Sequence, residues 1–152
     1  MDGASHPGET HIVPPLNLDR LTRVYGPTMW DVYARLDVSR NPHGPDSLHE
    51  LAAEYLRPGD TVLDARCRDA AHLIHLVHAN DVAGVGIDPV EIHIERARAA
   101  VGAAGPDRRI TLHHGVMHDL AYAAEYFDLV WCRDVLEQVD DLDGALRECR
   151  GQ

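Results

Sequence analysis

The pattern of apolar and polar positions divides the chain near residue 58. In the first part, apolar residues recur at helical spacing and predict two short helices between Leu16 and Leu36, interrupted by Gly26-Pro27. A third helix is predicted from Asp46 or Ser47 to Tyr55, followed by Pro58-Gly59. Residues 1–15, rich in glycine, proline and small polar side chains, predict a flexible N-terminus.

From residue 58 onward, short apolar runs alternate with helical patterns. Strands are predicted at residues 61–64, 82–88, 110–114 and 127–132, and helices at residues 70–80, 91–101 and 140–149. Asp69 is expected to open the first of these helices, and Pro89 to occupy the first helical position of the second. Because crossover helices join parallel strands, we predict an α/β, Rossmann-like domain at residues 58–152, preceded by a helical segment at residues 16–57.

The composition is that of an ordinary globular protein, with 45% hydrophobic and 26% charged residues. Asp and Glu outnumber Lys and Arg by 25 to 14, which gives a net charge of -11 and argues against nucleic acid as a partner. Three cysteines without a C-x-x-C pair favour a reducing compartment. Since no signal peptide and no membrane span is predicted, we expect a cytoplasmic protein with no membrane partner.

The segment Thr61 to Ala71 has the outline of a strand, a tight loop and a helix N-terminus. Such a junction is where α/β sheets hold nucleotides. The strand ends in Asp64, but the loop reads R-C-R-D at residues 66–69, where glycine is expected. Asp88 ends the next strand, 24 residues after Asp64, close to the ~20-residue spacing of ribose-binding carboxylates.

Three motifs in this order resemble those of class I S-adenosylmethionine-dependent methyltransferases. They are V-L-D at Val62 to Asp64, G-V-G-I-D at Gly84 to Asp88, and F-D-L-V-W-C-R-D-V-L-E at Phe127 to Glu137. The resemblance covers residues 51–149. In that family the first motif is typically V-L-D-x-G-C-G-x-G, so Arg66, Arg68 and Ala70 replace its three glycines.

The resemblance implies S-adenosylmethionine as cofactor and a small-molecule methyl acceptor. It implies that Asp88 holds the ribose, that Asp119 holds the adenine amino group, and that the loop from Asp64 to Ala70 holds the methionine part. The cofactor-binding residues expected from it are Asp64, Ala65, Arg66, Cys67, Arg68, Asp88, Pro89, Met117, His118, Asp119, Cys132 and Arg133. No catalytic residue is predicted, because Gln138 stands where many such enzymes have a histidine, and an amide does not accept a proton.

The two arginines of the loop add bulk and positive charge near a cofactor whose sulfonium is already positive. Our hypothesis is that Arg68 faces the carboxylate of the methionine part and that Arg66 points to solvent. The alternative is that both arginines are solvated and the site is damaged. The chain would then be a degenerate, noncatalytic binding or assembly module, or an inactive fragment.

Several other residues have two interpretations. Tyr25, Trp30 and Tyr33 resemble the aromatic lid that related enzymes fold over the cofactor, but their spacing also suits core packing. His72, His75 and His78 spread around one helix, so no metal site is predicted. His113 and His114 are expected to point to opposite faces of their strand.

The family's sheet has seven strands, and the pattern predicts four here. We therefore expect either a fragment of a longer protein or a shortened form. In the family's strand order the fourth strand is then an exposed edge that bears Leu129, Val130 and Trp131. The hypothesis is that two copies form a homodimer through this edge.

Overall fold

The computed structural model describes residues 18–26, 46–105, 108–116, 122–123, 125–133 and 142–151. Its helices are α1 (Leu18–Tyr25), α2 (Asp46–Tyr55), α3 (Ala71–Asn80), α4 (Glu91–Ala104) and α5 (Leu142–Gly151), and its strands are β1 (Thr61–Ala65), β2 (Ala83–Asp88), β3 (Ile110–His114) and β4 (Leu129–Cys132). The predicted alternation of strand and helix after residue 58 is confirmed. The helix predicted after Gly26-Pro27, with Trp30 and Tyr33, lies outside the described residues.

Parallel pairing brings the carboxyl ends of β1 and β2 side by side. Within the described residues the strand order is β3-β2-β1-β4, and every pair is parallel. Asp128 holds β4 in register with β1. Its Oδ2 accepts the N–H of Thr61 at 2.8 Å, and its own N–H donates to the Thr61 carbonyl at 2.9 Å. The predicted parallel sheet is confirmed, and β1 lies between β2 and β4.

A glycine in β2 lets helix α3 lie close to the sheet. A Cβ atom at Gly84 would be 2.7 Å from Leu73 Cδ1 and 2.7 Å from Val77 Cγ2, which is closer than real side chains approach. Glycine usually weakens a strand, and here it marks such a close approach. Leu73 and Val77 are fully buried against Val62 of β1.

The opposite face of the sheet carries a second apolar layer. Leu63 of β1 packs with Val85 and Ile87 of β2 and with Phe127, which precedes β4. Because side chains alternate along a strand, β1 and β2 contribute to both layers and are buried on both faces.

The start of α3 differs from the prediction. Ala70, not Asp69, is the residue that precedes the first helical turn, and its φ of 61° is left-handed. Asp69 instead accepts the N–H of Ala71 through Oδ1 at 3.3 Å.

Both ends of α4 also differ from the prediction. Pro89 is not its first residue, because Val90 follows in an extended conformation, with φ of -102°, before the helix begins. The helix continues through Gly102 to Ala104, and Gly105 follows it with a φ of 116°, which suits glycine. No helix in the described part of the chain is long and apolar enough to cross a membrane.

Strand β4 lies at the edge of the described sheet, but Trp131 is not exposed there. It is 9% exposed and stacks on His49 of α2, with ring centroids 5.5 Å apart. The expectation of an exposed Trp131 is therefore wrong, because α2 covers that face. An apolar groove of about 290 Å³ runs between α2 and β4 and is lined by Leu48, Leu51, Ala52, Tyr55, Leu129, Val130, Trp131, Cys132 and Arg133.

Candidate functional site

The candidate site lies at the carboxyl ends of β1 and β2, where residues 66–70 lead from β1 into α3. Ala65 is opposite Ile87 in the sheet. The N–H groups of Arg66 and Cys67 both donate to the Ile87 carbonyl, at 2.7 and 3.0 Å. The main chain of the loop is therefore fastened to the end of β2.

The three residues that replace the family's glycines all have left-handed backbones. The φ angles are 68° for Arg66, 51° for Arg68 and 61° for Ala70. A residue with a Cβ atom adopts this conformation at a cost of about 1–2 kcal/mol. The loop thus keeps the shape that glycine makes easy, without having glycine at those positions.

The side chain of Cys67 turns into the protein and lies against β2. It is 5% exposed, and a Cβ atom at Gly86 would be 2.8 Å from its Sγ. Burial, with the nearby carboxyl groups, raises the pKa of the thiol. Cys67 therefore contributes main chain and packing to the loop.

Asp64 is a buried carboxyl group that is close enough to Asp88, Asp69 and Arg133 for their charges to act on it. It is 4% exposed. Burial, and then the neighbouring Asp88 and Asp69, raise its pKa to about 8, while Arg133 acts in the opposite direction. At neutral pH the group is mainly protonated.

Asp88 is fully buried, and two main-chain N–H groups and a histidine ring nitrogen surround its carboxylate. Oδ1 accepts the N–H of Val90 at 2.9 Å and lies 3.0 Å from Nδ1 of His93, while Oδ2 accepts the N–H of Arg68 at 3.1 Å. The acid is at the end of β2, as expected, and Pro89 continues the chain from it. No sequence pattern predicted the contact between His93 and Asp88.

The guanidinium group of Arg66 lies over the ring of Tyr25, 5.1 Å from its centroid. The expectation that Arg66 points to solvent is therefore wrong, because the last residue of α1 offers its aromatic face. Arg68 contributes its main-chain N–H to Asp88, and the orientation predicted for its side chain remains a prediction.

Cys132 and Arg133 lie at the end of β4, beside β1. Cys132 is opposite Ala65, and its thiol hydrogen-bonds to that of Cys149 in α5. Burial and Cys149 raise the pKa of Cys132 to about 12, so its thiol stays protonated. Arg133 contacts Nε2 of His72.

A histidine cluster that the sequence did not predict lies behind Arg133. His49 Nε2 is 2.9 Å from His72 Nδ1, and the His49 ring stacks on that of His75, with centroids 4.0 Å apart. Burial lowers the pKa of His49, followed by the effect of His75. No group of side chains in the described part of the chain is suited to hold a metal ion.

Three predicted contacts, Met117, His118 and Asp119, lie outside the described residues. The two histidines of β3 do have different partners, as expected from alternation. His113 Nε2 is 2.8 Å from the Tyr122 hydroxyl, and His114 Nε2 is 2.9 Å from the Pro89 carbonyl. The structure thus brings together the loop, Asp64, Asp88 and Arg133.

The family model described as "Methyltransferase domain" matches residues 63–151, which include all of these site residues. The chain belongs to the class I S-adenosylmethionine-dependent methyltransferases. The chain is 32% identical over 93 residues to 27-O-demethylrifamycin SV methyltransferase of Amycolatopsis mediterranei strain S699, covering 61% of the chain and 34% of that relative. It therefore spans about a third of the length of that curated relative.

Solved structures share the fold of this chain. The [4+2]-cyclase SpnF superposes with a TM-score of 0.75 at 18% identity, covering 90% of this chain and 56% of that one. A methyltransferase from Thiobacillus denitrificans, solved with S-adenosyl-L-homocysteine, has a TM-score of 0.65 at 21% identity, covering 82% of this chain and 50% of that one. Since a cyclase and a methyltransferase share the fold, the reaction must be argued from the site.

Proposed function

We propose that the chain binds S-adenosylmethionine at the loop between β1 and α3 and serves methyl transfer to a small-molecule acceptor. The observation that carries the proposal is the loop itself. Its three altered positions keep left-handed φ angles of 51–68°, and the loop lies between Asp64 and Asp88 at the ends of adjacent strands. When bound, the cofactor supplies an electrophilic methyl group on a sulfonium.

The buried carboxyl group of Asp64 fits the ammonium group of the cofactor's methionine part. Burying a charged carboxylate is costly unless a cation pairs with it, and a cationic ligand group would do so. The pKa of Asp64 is about 8, so a positive neighbour would also favour its ionised form. Arg68 is the candidate partner for the cofactor carboxylate.

Asp88 is suited to accept hydrogen bonds from the two ribose hydroxyls, but it is 0% exposed in this conformation. The ribose would therefore reach it only after the elements above it move. Helix α1 is one such element, because its Tyr25 carbonyl is 3.2 Å from Nε2 of His93, whose Nδ1 contacts Asp88. This arrangement supports a lid role for α1 in cofactor binding.

The small-molecule acceptor is proposed from the curated relative, which is named for its action on 27-O-demethylrifamycin SV. With Gln138 in place of a histidine, we expect acceptors whose methylation depends on alignment more than on a general base.

We also propose that two copies associate along β4. The groove beside this strand is apolar, and Leu51 and Tyr55 of α2 are 50% and 69% exposed next to it. An edge strand offers main-chain groups for pairing with a second strand.

Calorimetric titration with S-adenosylmethionine tests the cofactor proposal. Asp64→Asn is the informative variant, because asparagine has the shape of the protonated acid but never provides the anion. We expect binding to the wild-type chain and much weaker binding to Asp64→Asn. Asp128→Asn, at the opposite end of β1, is the matched control and should bind like the wild type. No heat with the folded wild-type chain would refute the proposal.

A further inference from the structure

His93 connects the lid helix to the candidate ribose acid. It is the third residue of α4 and is 1% exposed. Its Nδ1 lies 3.0 Å from Oδ1 of Asp88, and its Nε2 lies 3.2 Å from the main-chain carbonyl oxygen of Tyr25. The two contacts are made by opposite ring nitrogens, so the ring bridges β2 and α1.

Both partners of His93 are hydrogen-bond acceptors. A carboxylate oxygen and a carbonyl oxygen accept hydrogen bonds and donate none, whereas a neutral imidazole has only one N–H. The two contacts are therefore hydrogen bonds at the same time only when each ring nitrogen carries a hydrogen. The adjacent carboxylate of Asp88 supplies the charge that makes a buried cation tolerable.

Tyr25 is the last residue of α1, and the last carbonyl groups of a helix lack partners within it. A cationic ring that donates to this carbonyl satisfies it and interacts favourably with the negative end of the helix. The rings of Tyr25 and His93 also meet edge to face, with centroids 6.4 Å apart. The end of α1 is therefore held by His93 as well as by Arg66.

We propose that His93 is a positioning residue that fastens the end of α1 to Asp88, so that the opening of this helix and the exposure of Asp88 to the ribose are one event. This inference rests on the proposed cofactor site. It adds His93 to that site and couples the position of α1 to the exposure of Asp88. The coupling does not require the cofactor to be present, since both contacts exist between residues of the chain alone.

Two substitutions separate the two contacts. In His93→Asn, the amide nitrogen replaces Nδ1, so the contact with Asp88 is kept and the contact with Tyr25 is lost. In His93→Gln, the amide nitrogen replaces Nε2, so the contact with Tyr25 is kept and the contact with Asp88 is lost. His78→Asn is the control, because His78 lies on the exposed side of α3.

Hydrogen–deuterium exchange of the cofactor-free chain is the main test. In His93→Asn we expect amide exchange in α1 to rise about tenfold or more, which is the effect of losing one charge-assisted hydrogen bond, with no change in β1. His93→Gln should raise amide exchange in α1 less, and His78→Asn should leave it unchanged. Equal exchange in α1 for wild type and His93→Asn would overturn the proposal.

Nitrogen NMR of the His93 ring in the wild-type chain needs no variant. It therefore tests the bridge even if both substitutions prevent folding. Two protonated ring nitrogens are expected, and a neutral ring would overturn the bridge. Titration with S-adenosylmethionine then tests its use: His93→Asn should bind more tightly through faster association, because the variant no longer holds α1 closed over Asp88. If the wild-type chain binds no cofactor, the proposed function fails and His93 loses its positioning role, whereas wild-type-like binding by His93→Asn refutes only that role.

Discussion

The main-chain N–H of Arg68 donates to Oδ2 of Asp88 across 3.1 Å. This bond joins the altered loop to the acid at the end of β2, and its geometry depends on the left-handed φ of 51° at Arg68. The bond uses the backbone of Arg68, not its side chain. An arginine can therefore stand in a glycine position while the loop keeps its path, at an energetic cost paid elsewhere in the fold.

That cost can be measured by comparing Arg68→Gly with Arg68→Ala. Both variants remove the guanidinium group, but only glycine removes the Cβ atom that disfavours positive φ. We expect the glycine variant to be more stable than the alanine variant by about 1 kcal/mol, measured by urea unfolding.

Arg98, on the exposed side of α4, is the matched control. In a helix interior, a glycine variant is less stable than the alanine variant by about 1 kcal/mol. The difference in free energy of unfolding between Arg98→Gly and Arg98→Ala should therefore have the opposite sign. The same sign at both positions would show that the backbone at Arg68 is not strained.

The raised pKa of Asp64 predicts a specific dependence of stability on pH. Because its pKa is about 8 in the folded chain and 3.8 otherwise, the folded chain keeps a proton that the unfolded chain releases between these values. The free energy of unfolding therefore decreases as pH rises from about 4 to about 8 and is constant above that range.

Asp64→Asn removes this dependence, since asparagine mimics the protonated acid at every pH. We expect the variant and the wild type to be equally stable near pH 4 and the variant to be more stable near pH 8, by on the order of a few kcal/mol. Urea unfolding at both pH values measures the difference. A constant difference between the two proteins across this range would contradict the assignment.

Cofactor binding is predicted to release a proton from Asp64. An ammonium group beside it favours the carboxylate, so a group that is mainly protonated at pH 7 would ionise in the complex. Calorimetry in two buffers with different ionisation enthalpies should show release of up to one proton at about pH 7 and none well above pH 8. If Asp64→Asn releases as many protons as the wild type when it binds the cofactor, the released proton comes from another group.

Local sequence signals were sufficient to predict the strands and the position of Asp88. That position follows from the apolar run that Asp88 ends and from its spacing from Asp64. The left-handed φ angles occur at Arg66, Arg68 and Ala70, the three positions where the family has glycine. The contact of His93 with Tyr25 joins residues 68 apart in the chain, and no periodic pattern reports such a contact. Long-range packing also decided the position of Trp131, which a strand pattern alone suggested to be exposed.

Association along β4 is predicted to depend on the apolar surface of α2. Leu51 lines the groove and is 50% exposed, whereas Ala53 on the same helix is exposed outside it. We expect sedimentation velocity to show a concentration-dependent dimer for the wild-type chain and for Ala53→Glu, and a monomer for Leu51→Glu, because a buried unpaired carboxylate opposes association. Since the net charge of -11 repels a second copy, the dimer should strengthen with added salt. A wild-type chain that stays monomeric at high concentration and high salt would refute the pairing.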